Sequence, residues 1–137
     1  MVIDHIGVVV PSLEEGIRQW EDLFGYKKKS DVVLNTRQKV KVVFLGKENS
    51  LTVKLIEPSD PSSPISRIAH KGGGLHHLCF KCESLNAEIP VLKTKGAAFI
   101  APAQPGEAFN DHDVAFFLVK NNLNVELIDT EEKQGWK

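Results

Sequence analysis

Cysteine is scarce in this chain of 137 residues, with only Cys79 and Cys82 present. That excludes a disulfide framework, and a chain of this length can bury a sizeable core without such staples. As a lone Cys-x-x-Cys, the pair lacks the second pair of a zinc knuckle and the helix start of a redox motif. It lies inside an alternating run, so the two thiols should point to opposite faces of a sheet.

Excess charge of either sign is missing as well. Seventeen Lys and Arg against eighteen Asp and Glu leave a formal charge of -1. Neither nucleic acid nor a membrane is therefore expected as a partner. The longest like-signed run, Lys27-Lys28-Lys29, reads as a solvated end of an element. No apolar stretch approaches the roughly 20 residues of a membrane span. Met1-Val2-Ile3-Asp4-His5 has neither a basic start nor an apolar targeting core and leads straight into a strand. The expected location is cytoplasmic. A phosphate loop is also lacking: Lys71-Gly72-Gly73-Gly74 has no Gly-Lys-Ser/Thr ending and runs into a strand, so it reads as a turn.

What is present is a repeat. Ile3 to Val10 is a β-branched run that Pro11 ends. Ser12-Leu13-Glu14-Glu15 has the capping-box pattern, and Leu13, Ile17, Trp20 and Phe24 follow at helical spacing up to a stop at Gly25. Lys28–Leu34, Val40–Leu45 and Leu51–Ile56 read as three further strands. The second half returns to this order 72 residues later. His5-Ile6-Gly7-Val8 becomes His77-Leu78-Cys79-Phe80, and Ser12-Leu13 becomes Ser84-Leu85. Val42-Val43-Phe44-Leu45 becomes Val114-Ala115-Phe116-Phe117, and Leu51–Ile56 becomes Leu123–Ile128.

One offset shared by four segments predicts an α+β fold of two βαβββ repeats in one domain over residues 1–137. The first repeat spans 1–57, a connector rich in Pro, Ser and Gly spans 58–74, and the second repeat spans 75–130. Ile65–His70 could form a short helix in the connector. Pro90 would remove a backbone bond, so the second helix should start late or kink. The strands should curl into one incomplete barrel around a shared cavity, with the helices outside.

Strand alternation then selects the residues of that cavity. Ile6, Val8 and Val10 suit packing under the first helix, which leaves His5, Gly7 and Val9 facing the other way. His77, Cys79 and Lys81 do the same in the second repeat. Val53 and Leu55 face the helix, while Lys54 and its counterpart Glu126 turn inward. Pseudo-twofold pairing brings His5, His77, Glu126 and Lys54 towards one cavity. Two imidazoles and a carboxylate form a good divalent-metal set with positions left for water or substrate. Lys54 has two readings, an ion pair to Glu126 that replaces a metal charge or a catalytic or anion-binding lysine. Arg37 is either a solvated hairpin residue or a clamp for a carboxylate or phosphate. Ala101–Asp113 reads as a surface loop that could close over a ligand, with His112 near its end as a spare acid or base.

These motifs resemble the vicinal oxygen chelate superfamily, which contains glyoxalase I, bleomycin-resistance proteins and extradiol dioxygenases. Asp4-His5-Ile6-Gly7-Val8-Val9-Val10 and Gly74-Leu75-His76-His77-Leu78-Cys79-Phe80 resemble its two histidine strands, and Val125-Glu126-Leu127 its final ligand strand. Leu55-Ile56-Glu57-Pro58 and Ser63-Pro64-Ile65 are similar to the methylmalonyl-CoA epimerase family within it. The resemblance implies an isomerase or lyase that moves a proton next to the carbonyl of a small acyl substrate such as an acyl-CoA. It implies a divalent metal (Co, Zn, Ni, Mn or Mg) on His5, His77 and Glu126, and a homodimer. The neighbouring His76, which corresponds to Asp4, should point outward. Two positions depart from the family. Lys54 stands at the fourth ligand position, where an ammonium cannot bind metal. Arg37 falls where a proton-transfer carboxylate is expected. Glu126 and Lys54 are the catalytic candidates, and Arg37 and Lys54 the substrate-binding ones. The alternative is a metal-free small-molecule binding protein of the same fold, like the resistance proteins.

Overall fold

A computed structural model describes residues 1–137. The first half runs β1 (Val2–Val9), α1 (Leu13–Phe24), β2 (Lys27–Lys28), β3 (Val33–Asn35), β4 (Val40–Gly46) and β5 (Thr52–Pro58). A short helix α2 (Ser66–His70) lies in the connector. The second half runs β6 (Gly74–Lys81), α3 (Leu85–Thr94), β7 (Ala98–Phe99), β8 (Gln104–Gly106), β9 (His112–Val119) and β10 (Leu123–Ile128), with a 3-10 turn at Glu107–Phe109. All ten strands belong to one open sheet ordered β2-β4-β5-β1-β6-β10-β9-β7, with β3 on β4 and β8 on β9.

The pairing repeats as the sequence does. β1 lies parallel to β5, and β6 lies parallel to β10. The two halves meet where β1 and β6 run antiparallel. A parallel pair needs a long crossover, and each half carries its helix in that connection. Helices α1 and α3 cover one face of the sheet. Val8, Val10, Val53 and Leu55 pack under α1, and Val125 and Leu127 pack under α3 against its Leu85. The other face gathers Val9, Phe44 and Ile56 of the first half with Cys79, Val114 and Ile128 of the second into one core. Fully burying each such side chain is worth about 1.5–3 kcal/mol, so the strand phase is strongly held.

Helix caps follow the same symmetry. Ser12 Oγ accepts from Glu15 N at 3.3 Å, and Ser84 Oγ accepts from Ala87 N at 3.3 Å. Leu13 N donates to Glu57 at 3.0 Å and Leu85 N to Asp129 at 2.9 Å, which ties each helix start to the end of its own half's last strand. Gly25 ends α1 in the left-handed region at φ 72°.

Three details differ from expectation. The strand expected over 28–34 is split into β2 and β3, because Ser30 turns inward between them. Its hydroxyl accepts from Phe44 N at 2.8 Å and donates to Asp31 O at 2.9 Å, taking the place of ladder bonds. Helix α3 starts at its Ser84 cap and continues through Pro90. Pro90 removes one intrahelical bond, that of its own missing N–H, and the intact cap holds the first turn. The Ala101–Asp113 loop contains β8 and the 3-10 turn, and its Glu107 carboxylate accepts from Thr36 N and Oγ1 at 2.7 and 2.8 Å. It is therefore a wall docked on the opposite half. No helix is long and apolar enough to cross a membrane.

Candidate active site

The inward positions of β1, β5, β6 and β10 converge as alternation predicts. His5, Lys54, His77 and Glu126 are all buried, with Glu126 at 1 % exposure and Lys54 at 5 %. Glu126 lies at the centre. Its Oε1 is 3.0 Å from His5 Nε2 and 3.3 Å from His77 Nε2, and its Oε2 is 3.3 Å from Lys54 Nζ. The ammonium also stands 5.2 Å from the Phe109 ring centre and 5.9 Å from that of Phe44. It thus has one carboxylate and two aromatic faces in place of water. Lys54 and Glu126 are repeat partners, so the pseudo-symmetry of the fold itself juxtaposes a cation and an anion.

Each histidine is oriented by the residue before it. Asp4 Oδ2 lies 2.7 Å from His5 Nδ1 and accepts its proton. His76 Nδ1 lies 2.9 Å from His77 Nδ1. His76 is half-buried in this contact rather than pointing outward, because the ring returns to its neighbour as Asp4 does. Gly7 provides the room for His77. A Cβ built on Gly7 would come within 2.1 Å of His77 Cε1, so the strand pairing that puts Gly7 opposite His77 requires the missing side chain.

The two Nε2 atoms are buried without an aligned hydrogen bond. With Nδ1–H committed to Asp4, a neutral His5 presents an unprotonated Nε2 to a carboxylate oxygen 3.0 Å away. Two acceptors in such contact are the arrangement that ligands adopt around a shared ion. Donors bound at about 2.1 Å and at right angles lie about 3.0 Å apart, which matches these separations. His5, His77 and Glu126 therefore fit a divalent ion as a face of two histidines and one carboxylate. The fourth position does not fit, since Lys54 brings a charge of the ion's own sign.

Burial pushes the His77 imidazole down to about 4, against the opposing pull of Glu126. Burial alone would raise the Glu126 carboxyl, but the Lys54 ammonium leads the interactions that outweigh it and hold the group well below its usual range. Both thiols are raised by burial. Cys79 packs in the inner core and Cys82 under α3, so the Cys-x-x-Cys lies across two faces and forms no site.

These shifts predict acid lability. A histidine whose folded pKa is below 6.5 binds its proton more readily when unfolded. Its contribution is complete above pH 6.5 and lost as the pH falls towards 4, amounting to about 3 kcal/mol there. The depressed Glu126 carboxyl acts in the same direction below its ordinary 4.5. Thermal melts from pH 8 to 4 should show a falling midpoint, steepening below pH 4.5. A midpoint unchanged down to pH 5 would contradict the buried neutral His77.

Beside the cluster a cleft of about 240 Å³ is lined by Arg37, Gln38, His76, His77, Asn124 and the 100–105 segment. His77 belongs to both cleft and cluster. Arg37 is exposed at the cleft and does not join the four buried residues. His112 is exposed, lies 3.3 Å from Glu132 and does not line the cleft. Asp4, Gly7 and Phe109 escaped sequence reasoning as site residues. Asp4 was visible only as the neighbour of His5, and Phe109 lies in a segment without clear periodicity.

The family model of the glyoxalase/bleomycin resistance protein/dioxygenase superfamily matches residues 4–116. The mitochondrial methylmalonyl-CoA epimerase of Dictyostelium discoideum is 28% identical over 133 residues, 96% of this chain and 78% of that protein. The uncharacterized protein YqjC of Bacillus subtilis is 30% identical over 135 residues, covering 96% and 94% of the two chains. The crystal structure of methylmalonyl-CoA epimerase from Mycobacterium tuberculosis superposes with a TM-score of 0.82 at 24% identity, over 93% of this chain and 87% of that one. The matched span contains His5, His77 and the first half from Asp4 onward, and the chain therefore belongs to the glyoxalase/bleomycin resistance protein/dioxygenase superfamily.

Proposed function

We propose that this protein is an epimerase-like isomerase that moves the proton next to the carbonyl of a small acyl thioester, with Glu126 as the proton-handling group. The observation that carries this reading is the buried contact between Lys54 and Glu126, an acid–base group held against a cation beside a cleft. The relatives that are methylmalonyl-CoA epimerases support an acyl-CoA as substrate.

At rest Glu126 is a weak base, because the Lys54 ammonium leads the interactions that hold its pKa down. A substrate carbonyl oxygen accepting from Lys54 Nζ draws that ammonium away. Glu126 then gains basicity as the substrate enters, and Lys54 is placed to meet the negative charge that develops on the oxygen when the α-proton leaves. Exclusion of water by Phe44 and Phe109 strengthens both effects. Arg37 at the cleft would hold a carboxylate or phosphate of the substrate away from the reacting carbon. His5, His77 and Glu126 are the residues that would hold a divalent ion, and the chemistry it supplies when bound is polarisation of a carbonyl oxygen.

The test is α-proton exchange of methylmalonyl-CoA in deuterated water, followed by mass spectrometry. Deuterium incorporation by the wild-type protein well above the buffer rate is the expected result. No incorporation, with and without added cobalt, sinks the proposal. Saturable binding of the thioester without exchange would favour the second reading, a binding protein, for which the internally neutralised Lys54–Glu126 pair is the supporting feature.

A further inference from the structure

Beyond β10 the chain stays on the fold. Thr130 is buried and its Oγ1 accepts from Glu132 N at 3.0 Å. Gln134 N donates to Ala108 O at 2.8 Å, and Lys137 N donates to Lys29 O at 2.7 Å. The segment 130–137 is thus a strap running from the end of the second half to the first. Along it Lys133 turns inward, with its side chain 9% exposed. Its Nζ donates to Asp4 Oδ1 at 3.1 Å and stands 5.6 Å from the Phe44 ring centre and 5.7 Å from that of Trp136. The other oxygen of Asp4 accepts from His5 Nδ1 at 2.7 Å.

We propose that Lys133 is a positioning residue of the site, holding Asp4 so that His5 is locked in the tautomer whose Nε2 lone pair faces Glu126. An aspartate beside a histidine can rotate about its terminal bond and lose the imidazole. Here rotation also breaks the contact with an ammonium fixed on the strap, so both oxygens stay where they are. The tautomer of a neutral imidazole is set by the partner of its other nitrogen, and partners of this kind are worth tenfold to a hundredfold in metal affinity. His77 is the internal comparison. Its Nδ1 partner is His76, on the same strand. The inference rests on the reading of His5 as a site residue but not on any substrate, so a negative proton-exchange result leaves it standing.

The experiment is long-range nitrogen–proton NMR of the full chain labelled in histidine, at neutral pH, on wild type and on Lys133→Met and Lys133→Arg. In wild type, His5 should carry its proton on Nδ1. Lys133→Met should introduce the Nε2–H form at His5 while leaving His77 unchanged, and should weaken cobalt binding by about tenfold to a hundredfold. Lys133→Arg should restore both. A wild-type His5 protonated on Nε2 overturns the proposal without any variant, which keeps it decidable even if Lys133→Met does not fold. An unchanged His5 in Lys133→Met, or equal changes at His5 and His77, overturns it as well.

Discussion

Lys54→Gln should raise the affinity of the cavity for Co²⁺ by at least about a hundredfold. A doubly charged ion and an ammonium about 4 Å apart repel by about 8 kcal/mol at an effective dielectric constant of about 20. If only a third of that is realised after relaxation, the change is about 2.7 kcal/mol, or two decades of affinity. The glutamine also offers an oxygen where the lysine offers none, so the three existing donors gain a fourth. The donors that produce the gain are His5, His77 and Glu126, whose relevant atoms already lie within 4.8 Å of one another. Titration calorimetry on wild type, Lys54→Gln and Lys54→Gln/His77→Ala checks this. The double variant should lose the gain, and thermal stability of Lys54→Gln should rise with added metal by mass action. Equal affinity in wild type and Lys54→Gln would mean that the ammonium already leaves the donor set when an ion enters.

Glu126→Gln should lower the stability of the metal-free protein by about 3–5 kcal/mol, because it leaves Lys54 charged, buried and without its carboxylate. For a chain of this length that is about 10–20 °C in the unfolding midpoint. Phe44 and Phe109 still face the ammonium, but their attraction recovers only about 1–2 kcal/mol. Lys54→Met in the same background should restore most of the loss, since a neutral residue of similar length fills the space and removes the stranded charge. A four-member cycle of wild type, both single variants and the double measures the coupling between the two residues. Simple additivity of the two losses would show that the pair is not coupled, and the charge-exchange account of Glu126 would fail with it.

These two expectations concern the same buried pair, and the pair marks how far sequence reading reached. That Lys54 and Glu126 face inward could be read from alternation. Val53 and Leu55 on one side, and Val125 and Leu127 on the other, must pack under helices, and a strand cannot bury them without turning its other face to the cavity. The 72-residue offset then placed the two residues at matching positions of matching strands. His5 and His77 were legible on the same grounds.

The departures came where local rules compete. Ser30 could have continued a strand, and only the Phe44 amide beside it decides that its hydroxyl interrupts one. Pro90 reads as a helix breaker, yet the Ser84 cap and the Asp129 carboxylate hold the start of α3. His76 looked like a solvent-facing neighbour, and the return of its ring to His77 depends on side-chain rotation that periodicity does not describe.

Alternation and helical spacing act between residues close in the chain, and they set the repeat, the faces of the strands and hence which four side chains share a cavity. How those side chains are joined follows from long-range packing. Glu126 bridges both histidines and Lys54, Gly7 makes room for His77, and Lys133 reaches Asp4 from 129 residues away. Such contacts carry no spacing rule, since distance along the chain says nothing about which buried polar groups find each other once water is excluded.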